Sequence, residues 1–179
     1  IGYDRNNLIQ VPMKSREIIK HFQSVRNDLL NTGAIIEVAG TDTPITATTN
    51  TFTNYTWKGR NPAVNNDFTG LGVTHDFGKM VDWEIIAGRD FSKDFIADNQ
   101  SYILNEAAVE YMGLENPVGT VLKKDGEEYK IVGVVKNLIT QSPFDEVRQT
   151  IFMLKETYFR HLYIKLNRSQ NIRQVLSEI

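Results

Sequence analysis

The 179-residue sequence contains no cysteine. Disulfide bonds, thiolate metal sites and cysteine nucleophiles are therefore excluded, and both reducing and oxidising compartments stay open. It also lacks a long run of one charge, since 20 Lys and Arg stand against 22 Asp and Glu for a formal net charge of -2. A nucleic-acid partner and a basic membrane-binding patch are therefore not predicted.

No hydrophobic run approaches the roughly 20 residues that span a bilayer. The chain begins with Ile1 rather than Met, and no charged-then-apolar leader follows. Taken alone, the chain is expected to be soluble. Its end nevertheless looks cut, because a predicted helix from Gln170 carries an apolar stripe that runs into the last residue. We therefore expect a domain excised from a longer membrane protein.

Phosphate-binding loops are absent as well. The segment from Gly72 to Gly78-Lys79 has one residue too many for a P-loop, and Met80 stands where Ser or Thr is required. The sequence has no complete dinucleotide glycine motif and no Gly-x-Ser-x-Gly elbow. Nucleotide hydrolysis by this chain is not predicted.

The three histidines, His21, His75 and His161, are far apart, and none has a second histidine three or four residues away. We interpret each as a surface or partly satisfied side chain rather than a ligand. His75-Asp76 could contribute to a metal site, but no third ligand is indicated. We therefore expect no catalytic, cofactor-binding or metal-binding residues, and no enzyme activity.

Asp90, Asp94 and Asp98 recur every four residues. A calcium loop places its ligands at every second residue and turns on a glycine, which this segment does not do. We interpret the three aspartates as a solvated face, or Asp90 as a helix cap.

The aromatic residues Phe52, Tyr55 and Trp57 fall along one predicted strand. Core packing is the favoured interpretation of such a stripe, and a sugar- or base-stacking platform is the alternative. Trp57 and Trp83, together with scattered carboxylates, are the support for a further hypothesis, an enzyme acting on glycans.

A β-α-β unit opens the chain. A strand at Leu8–Val11 precedes a helix that Ser15 can cap and Gly33 closes, and a strand at Ala34–Ala39 follows. The helix has an apolar stripe of Ile18, Ile19, Phe22, Val25, Leu29 and Leu30, with Lys14, Arg16, Lys20, Arg26 and Asp28 on or near the solvated side.

A long threonine-rich loop at 41–56 separates this unit from a middle region with a different pattern of short strands, helices and turns. The predicted strands are Phe52–Lys58, Phe68–Val73, Trp83–Ile86, Tyr102–Leu104, Thr150–Leu154 and His161–Leu166, with a hairpin of Val118–Lys123 and Glu128–Val135 around Asp125-Gly126. The predicted helices lie near Asp76–Val81, at Glu106–Met112 between Asn105 and Gly113, and from Gln170.

An ordered set of peptides resembles the periplasmic domain of bacterial MacB/FtsX-like ABC transporter permeases, in the version common in Bacteroidetes. Gly2-Tyr3-Asp4 looks like the segment just after a first transmembrane helix. The chain departs from the family pattern at 138–144. The peptides are Trp57-Lys58-Gly59, Gly88-Arg89-Asp90-Phe91-Ser92, Ile103-Leu104-Asn105-Glu106-Ala107-Ala108, Met112-Gly113-Leu114, Asn116-Pro117-Val118-Gly119 and Ile131-Val132-Gly133-Val134-Val135-Lys136-Asn137.

The resemblance implies an α+β fold with a split β-α-β…β-β-α frame. Residues 1–59 and 146–179 would form a membrane-proximal, porter-like subdomain, and residues 60–145 an inserted mixed α/β, sabre-like subdomain. The implied function is transmission of ATP-driven movement to the periplasm, for export or mechanotransmission. The implied partners are transmembrane helices of the same full-length chain, a second permease copy, a cytoplasmic ABC ATPase and a periplasmic adaptor or outer-membrane protein. The alternative is an extracytoplasmic binding module that recruits a lipoprotein or a cell-wall hydrolase.

Overall fold

The computed structural model describes residues 7–47, 50–63, 66–138 and 146–167. Within these ranges the strands are β1 (Leu8–Pro12), β2 (Ile35–Thr41), β3 (Thr51–Phe52), β4 (Tyr55–Thr56), β5 (Phe68–Val73), β6 (Ile85–Gly88), β7 (Ser101–Asn105), β8 (Val121–Lys124), β9 (Glu127–Val135), β10 (Thr150–Leu154) and β11 (His161–Leu166). The α-helices are α1 (Arg16–Lys20), α2 (Phe22–Asn31), α3 (Phe77–Val81) and α4 (Glu106–Met112), and 3₁₀ turns lie at Ile45–Ala47 and Ile96–Gln100.

All the described strands belong to one mixed sheet, so the predicted α+β class is confirmed. Its order is β1-β11-β2-β5-β10-β7-β9-β8-β4, with β3 paired to β5 and β6 paired to β9. The four strands of the frame, β1, β2, β10 and β11, all belong to this sheet, in which β10 lies between β5 and β7. The division into two subdomains stays a prediction.

The opening β-α-β unit is confirmed, but its helix is divided in two. At His21 the backbone leaves helical geometry (φ -104°, ψ 20°), so α1 and α2 are separate helices. Ser15 occupies the N-cap position of α1, although its side chain makes no capping hydrogen bond. Gly33 follows α2 with a φ of 71°, the left-handed conformation predicted for it.

The predicted helical stripe is buried only in part. Among the described helical residues of α1 and α2, Phe22 alone is fully buried, and Ile18 is 37% exposed. Arg26, expected on or near the solvated side, instead has a side chain only 12% exposed. Both differences arise because α2, rather than α1, packs on β2.

Elements of the middle region match the prediction closely. The Asn105 side chain caps α4 by accepting a 2.9 Å hydrogen bond from the Ala108 amide, and Gly113 ends the helix with a φ of 65°. The β8–β9 hairpin turns at Asp125-Gly126, where both residues have positive φ as in a type I′ turn.

The strand predicted at Phe52–Lys58 is not continuous. The chain turns at Asn54, which has a φ of 66°, and this turn separates two short strands. Before it, β3 pairs with β5; after it, β4 pairs with β8 at the far edge of the sheet. Tertiary pairing has therefore overridden the local strand propensity.

In the described part of the chain, the buried side chains form three hydrophobic clusters. One, around Phe22, Val38 and Phe159, lies between α2 and the β2–β11 pair. A second, around Phe77, Trp83 and Phe152, includes residues of β2, β5, β10 and β11. The third, around Tyr55, Phe68 and Tyr102, lies under α4.

None of the helices in the described ranges has both the length and the apolar character that crossing a bilayer requires. The predicted helix from Gln170, the peptide Gly2-Tyr3-Asp4 and most of segment 138–144 lie outside the described residues.

Candidate functional site

The histidines lie at three separate places in the fold. His75 Nδ1 is 2.9 Å from Glu156 Oε1, and its amide donates to the same oxygen over 2.7 Å. His161 Nδ1 is 3.0 Å from Gln10 Nε2, and His21 lies between α1 and α2. Across the described part of the chain, no three His, Asp or Glu side chains gather in a metal-binding arrangement.

The interpretation of Asp90, Asp94 and Asp98 as one solvated face is wrong. Asp98 is fully buried, and its carboxylate accepts hydrogen bonds of 2.7 and 2.6 Å from both terminal nitrogens of Arg89. Asp90 caps no helix; it accepts a 2.9 Å hydrogen bond from the Trp83 indole instead. Only Asp94 of the three is exposed.

The environments of these carboxyl groups shift their pKa values in opposite directions. Burial opposes ionisation of Asp98, but hydrogen bonds from Arg89 and from the Ser92 amide outweigh it and hold the pKa below its usual value. Burial raises the pKa of Asp90 despite its bond to Trp83. Sequence spacing alone missed this arrangement, because the chain between the aspartates is a 3₁₀ turn preceded by a loop rather than a helix.

The peptides that carry the family resemblance pack against one another. A Cβ at Gly133 would overlap the carbonyl oxygen of Arg89, so the two backbones approach each other closely at this glycine. The Asn137 side-chain oxygen accepts a hydrogen bond from the Ala107 backbone amide over 3.0 Å, and the Asn137 backbone amide donates to Glu106 Oε2 over 2.8 Å. These contacts build the fold.

Core packing is also the correct interpretation of the aromatic set. Tyr55 is fully buried and meets Phe68 edge to face at 5.4 Å. Trp57 is half-buried against the same ring at 6.1 Å. An open groove of about 610 Å³ lies beside Trp57, and Thr56, Lys58, Thr120, Val121, Lys123 and Glu128 line it.

The first and last described residues lie side by side. Strands β1 and β11 are antiparallel neighbours over five residue pairs, from Leu8–Lys165 to Pro12–His161. Just before β1, the Asn7 carbonyl accepts a 2.8 Å hydrogen bond from the Leu166 amide. The chain therefore enters and leaves the described part of the domain at adjacent positions of two neighbouring strands.

A buried carboxylate, Glu37, lies where β2 runs between α2 and α3. Its side chain is 1% exposed and forms ion pairs with Arg26 (2.5 Å) and Lys79 (2.9 Å). Arg26 also pairs with Asp76 (3.1 Å), which pairs with Lys93 (2.9 Å). Burial opposes ionisation of Glu37, but the bonds from Lys79, the Val38 amide and Arg26 keep its pKa below the usual value.

Sequence reasoning did not single out this charge network. The signal was a glutamate inside the apolar strand sequence AIIEVA, where a charged residue requires partners once it is buried. Lys79, which follows Gly78 in the incomplete phosphate loop, is one of those partners.

The model of the MacB-like periplasmic core domain family matches residues 3–179. No match was found among curated proteins. The periplasmic region of MacB from Actinobacillus actinomycetemcomitans is similar in structure, with a TM-score of 0.64 and 15% identity over 99% of this chain and 82% of that one. The extracellular domain of the noncanonic ABC-type transporter YknZ from Gram-positive bacteria is also similar, with a TM-score of 0.62 and 16% identity over 96% and 88%.

These two likenesses establish the fold, and the family match spans nearly the whole sequence. The Arg89–Asp98 pair, the α4 cap and the hydrogen bond between Asn7 and Leu166 are the local features that build this fold here. The chain belongs to the MacB-like periplasmic core domain family, the periplasmic core domain of ABC transporter permeases.

Proposed function

We propose that this domain transmits ATP-driven movement from the transmembrane helices of its own full-length chain into the periplasm, for export or mechanotransmission. Its partners are a second permease copy, a cytoplasmic ABC ATPase and a periplasmic adaptor or outer-membrane protein. The domain itself catalyses no reaction. The porter-like residues 1–59 and 146–179 and the sabre-like residues 60–145 are part of the same proposal.

One observation carries this proposal: Asn7 and Leu166 are hydrogen-bonded neighbours at one end of β1 and β11. Membrane segments attached to both chain ends would act on two adjacent strands. Movement of those strands passes to β2 through six residue pairs with β11. It passes on to β5 and β10 through a shared hydrophobic cluster, in which Ala39 and Tyr163 pack with Leu71 and Phe152.

The test measures movement directly in the full-length permease, reconstituted with its ATPase in a membrane. This domain has no cysteine, so once any cysteines elsewhere in the permease and in the ATPase are replaced, Asp28→Cys at an exposed position of α2 places one spin label on each copy. We expect the distance between the two labels to change when ATP is added. The matched control is an ATPase variant that binds ATP without hydrolysing it, which should hold a single distance.

An unchanged distance throughout the ATPase cycle, in a complex that hydrolyses ATP, would contradict transmission. Loss of the complex itself is excluded by measuring the ATPase rate on the same sample.

The groove beside Trp57 favours a second candidate function, recruitment of a lipoprotein or cell-wall hydrolase. It is open, and Lys58, Lys123 and Glu128 give it a charged rim around an aromatic ring. Lys123→Ala together with Glu128→Ala changes this rim without removing a buried side chain. Loss of cellular function with the ATP-driven distance change intact would favour recruitment over transmission.

A further inference from the structure

The ladder between β2 and β5 has fewer residue pairs than any other described ladder of the sheet. Among the described residues, one register pair, Thr41 with Val73, joins these strands. Two further backbone bonds flank it, from Thr74 to the Gly40 carbonyl and from the Asp42 amide to Gly72, each 3.0 Å long. The neighbouring ladders are longer, with six pairs between β2 and β11 and five between β5 and β10.

This junction divides the sheet into two blocks. The terminal block comprises β1, β2 and β11 with α1 and α2, and the main block comprises the other described strands with α3 and α4. A short ladder between two longer ones is the place where such a sheet bends at the smallest cost in hydrogen bonds.

In the part of β2 that precedes Thr41, β5 does not pair with the strand, and side chains form the hydrogen bonds that a neighbouring strand would otherwise form. The Val38 amide donates a 3.0 Å hydrogen bond to Glu37 Oε1, and the Val38 carbonyl accepts one of 3.3 Å from Arg26 Nε. The backbone amide and the backbone carbonyl of Val38 are therefore both hydrogen-bonded to charged side chains.

The same side chains also reach across to the main block. Arg26, from α2, pairs with Asp76 at the start of α3, and Glu37, from β2, pairs with Lys79 on α3. Lys93 completes the network from the loop beyond β6, through its 2.9 Å pair with Asp76. The side chains of Glu37, Arg26 and Asp76 are 1%, 12% and 17% exposed and so are shielded from water. The lysines that complete the network, Lys79 and Lys93, are 73% and 47% exposed.

A charged network constrains geometry differently from an apolar contact. An ion pair with directed hydrogen bonds is strong only when its atoms are correctly aligned. When the charged groups separate, each must be hydrated again. A hydrophobic interface tolerates sliding, because its stability depends on the area buried and not on direction. The two blocks share a hydrophobic cluster and hydrogen bonds such as that from the Gly40 amide to Thr74 Oγ1 (3.0 Å) and that from Lys165 Nζ to the Met80 carbonyl (3.1 Å). The ion pairs that join the blocks in the described residues belong to the charged network.

We propose that Arg26, Glu37, Asp76, Lys79 and Lys93 form a latch that fixes the orientation of the terminal block on the main block, and that opening this latch lets the blocks turn about the Thr41–Val73 junction. The latch follows from the sheet geometry and does not depend on whether ATP drives the movement. If the domain transmits movement, the latch sets whether the two blocks move as one body.

The test uses the 179-residue chain with spin labels at Asp28→Cys in the terminal block and Glu110→Cys in the main block, both exposed positions on helices. The variant Asp76→Asn removes two of the pairs and keeps the side-chain shape, and no helix cap is lost because Asp76 makes no capping bond. The matched control is Glu84→Gln, which breaks an exposed pair with Lys136 within the main block.

We expect a single narrow distribution of the distance between the two labels in the labelled chain without further substitution and in Glu84→Gln. In Asp76→Asn we expect a second distance between the labels as well. Hydrogen exchange supplies an independent measurement. The Val38 amide should exchange about tenfold faster in Asp76→Asn, which corresponds to about 1.4 kcal/mol of local opening free energy. The Ile103 amide, in the main-block strand β7, should keep its rate.

Arg26→Gln is the second variant, because it removes the bond to Val38 as well. Unchanged distances and unchanged Val38 exchange in a folded Asp76→Asn or Arg26→Gln chain would overturn the latch. Equal acceleration of Val38 and Ile103 would also overturn it, since the network would then stabilise the whole fold rather than one orientation. Failure of both variants to fold would also overturn the latch, because the network would then be required for the whole fold.

Discussion

The amide of Leu166 donates a 2.8 Å hydrogen bond to the carbonyl of Asn7, which links the two ends of the described chain. The residues lie 159 positions apart in sequence, and the β1–β11 ladder that follows keeps them together. Two transmembrane segments attached here would reach the domain at one point.

Labels at the two ends should therefore lie close together in solution. We expect strong dipolar broadening of the electron paramagnetic resonance spectrum for spin labels at Asn7→Cys and Lys165→Cys, because adjacent strands are about 4.8 Å apart. The pair Asn7→Cys and Glu110→Cys, which spans both blocks, is the control and should show none. Equal spectra for the two pairs would exclude the neighbouring arrangement of the ends.

The core of the terminal block should depend on one aromatic contact. Phe22 is 3% exposed and meets Phe159 edge to face at 4.9 Å. Phe22→Ala should reduce the free energy of unfolding by about 3–5 kcal/mol, through lost burial and the cavity left behind. Ile18→Ala, at a 37% exposed position on α1, is the control and should cost less than about 1 kcal/mol. Chemical denaturation measures both, and similar losses would contradict the assignment of Phe22 to the core.

The Arg89–Asp98 pair should stabilise the loop that follows β6. Asp98→Asn keeps the shape of the side chain but removes its charge, and leaves Arg89, 37% exposed, without its buried partner. We expect a loss of about 1–3 kcal/mol, below the range for fully buried pairs because Arg89 is partly solvated. Asp94→Asn, which neutralises an exposed carboxylate in the same loop, should change the free energy of unfolding by less than about 0.5 kcal/mol. Equal effects of the two variants on urea denaturation would contradict the prediction.

The same pair predicts a pH dependence. The folded pKa of Asp98 lies below the ordinary aspartate value of 3.8, so the carboxylate contributes stability that is complete above that value and is lost as the pH falls through the folded pKa. The stability difference between the unmodified chain and Asp98→Asn should therefore be constant near neutral pH and shrink below about pH 4. Using the difference removes the opposite contribution of Asp90, whose pKa is raised by burial and which favours folding as the pH falls. A difference that stays constant throughout the acid range would contradict this assignment.

Local signals in the sequence predicted the middle of the chain well. Asn105, Gly113 and the Asp125-Gly126 turn each have a conformational preference that their immediate neighbours satisfy, so α4 and the β8–β9 hairpin formed where expected. The strand predicted at Phe52–Lys58 failed for the opposite reason. Its two halves pair with different strands, β5 and β8, and no local pattern carries that information.

The sequence by itself determined most element bounds, through periodicity and preferences within a few residues. The α+β class and the family were also available from the sequence, but as what the resemblance of an ordered set of peptides implied. The tertiary structure decided that Asp98 is a buried partner of Arg89, that Glu37 joins α2 to α3, and that β10 lies between β5 and β7. Burial gives a charged side chain its partner and its pKa, and burial is set by residues distant in sequence that only folding brings together.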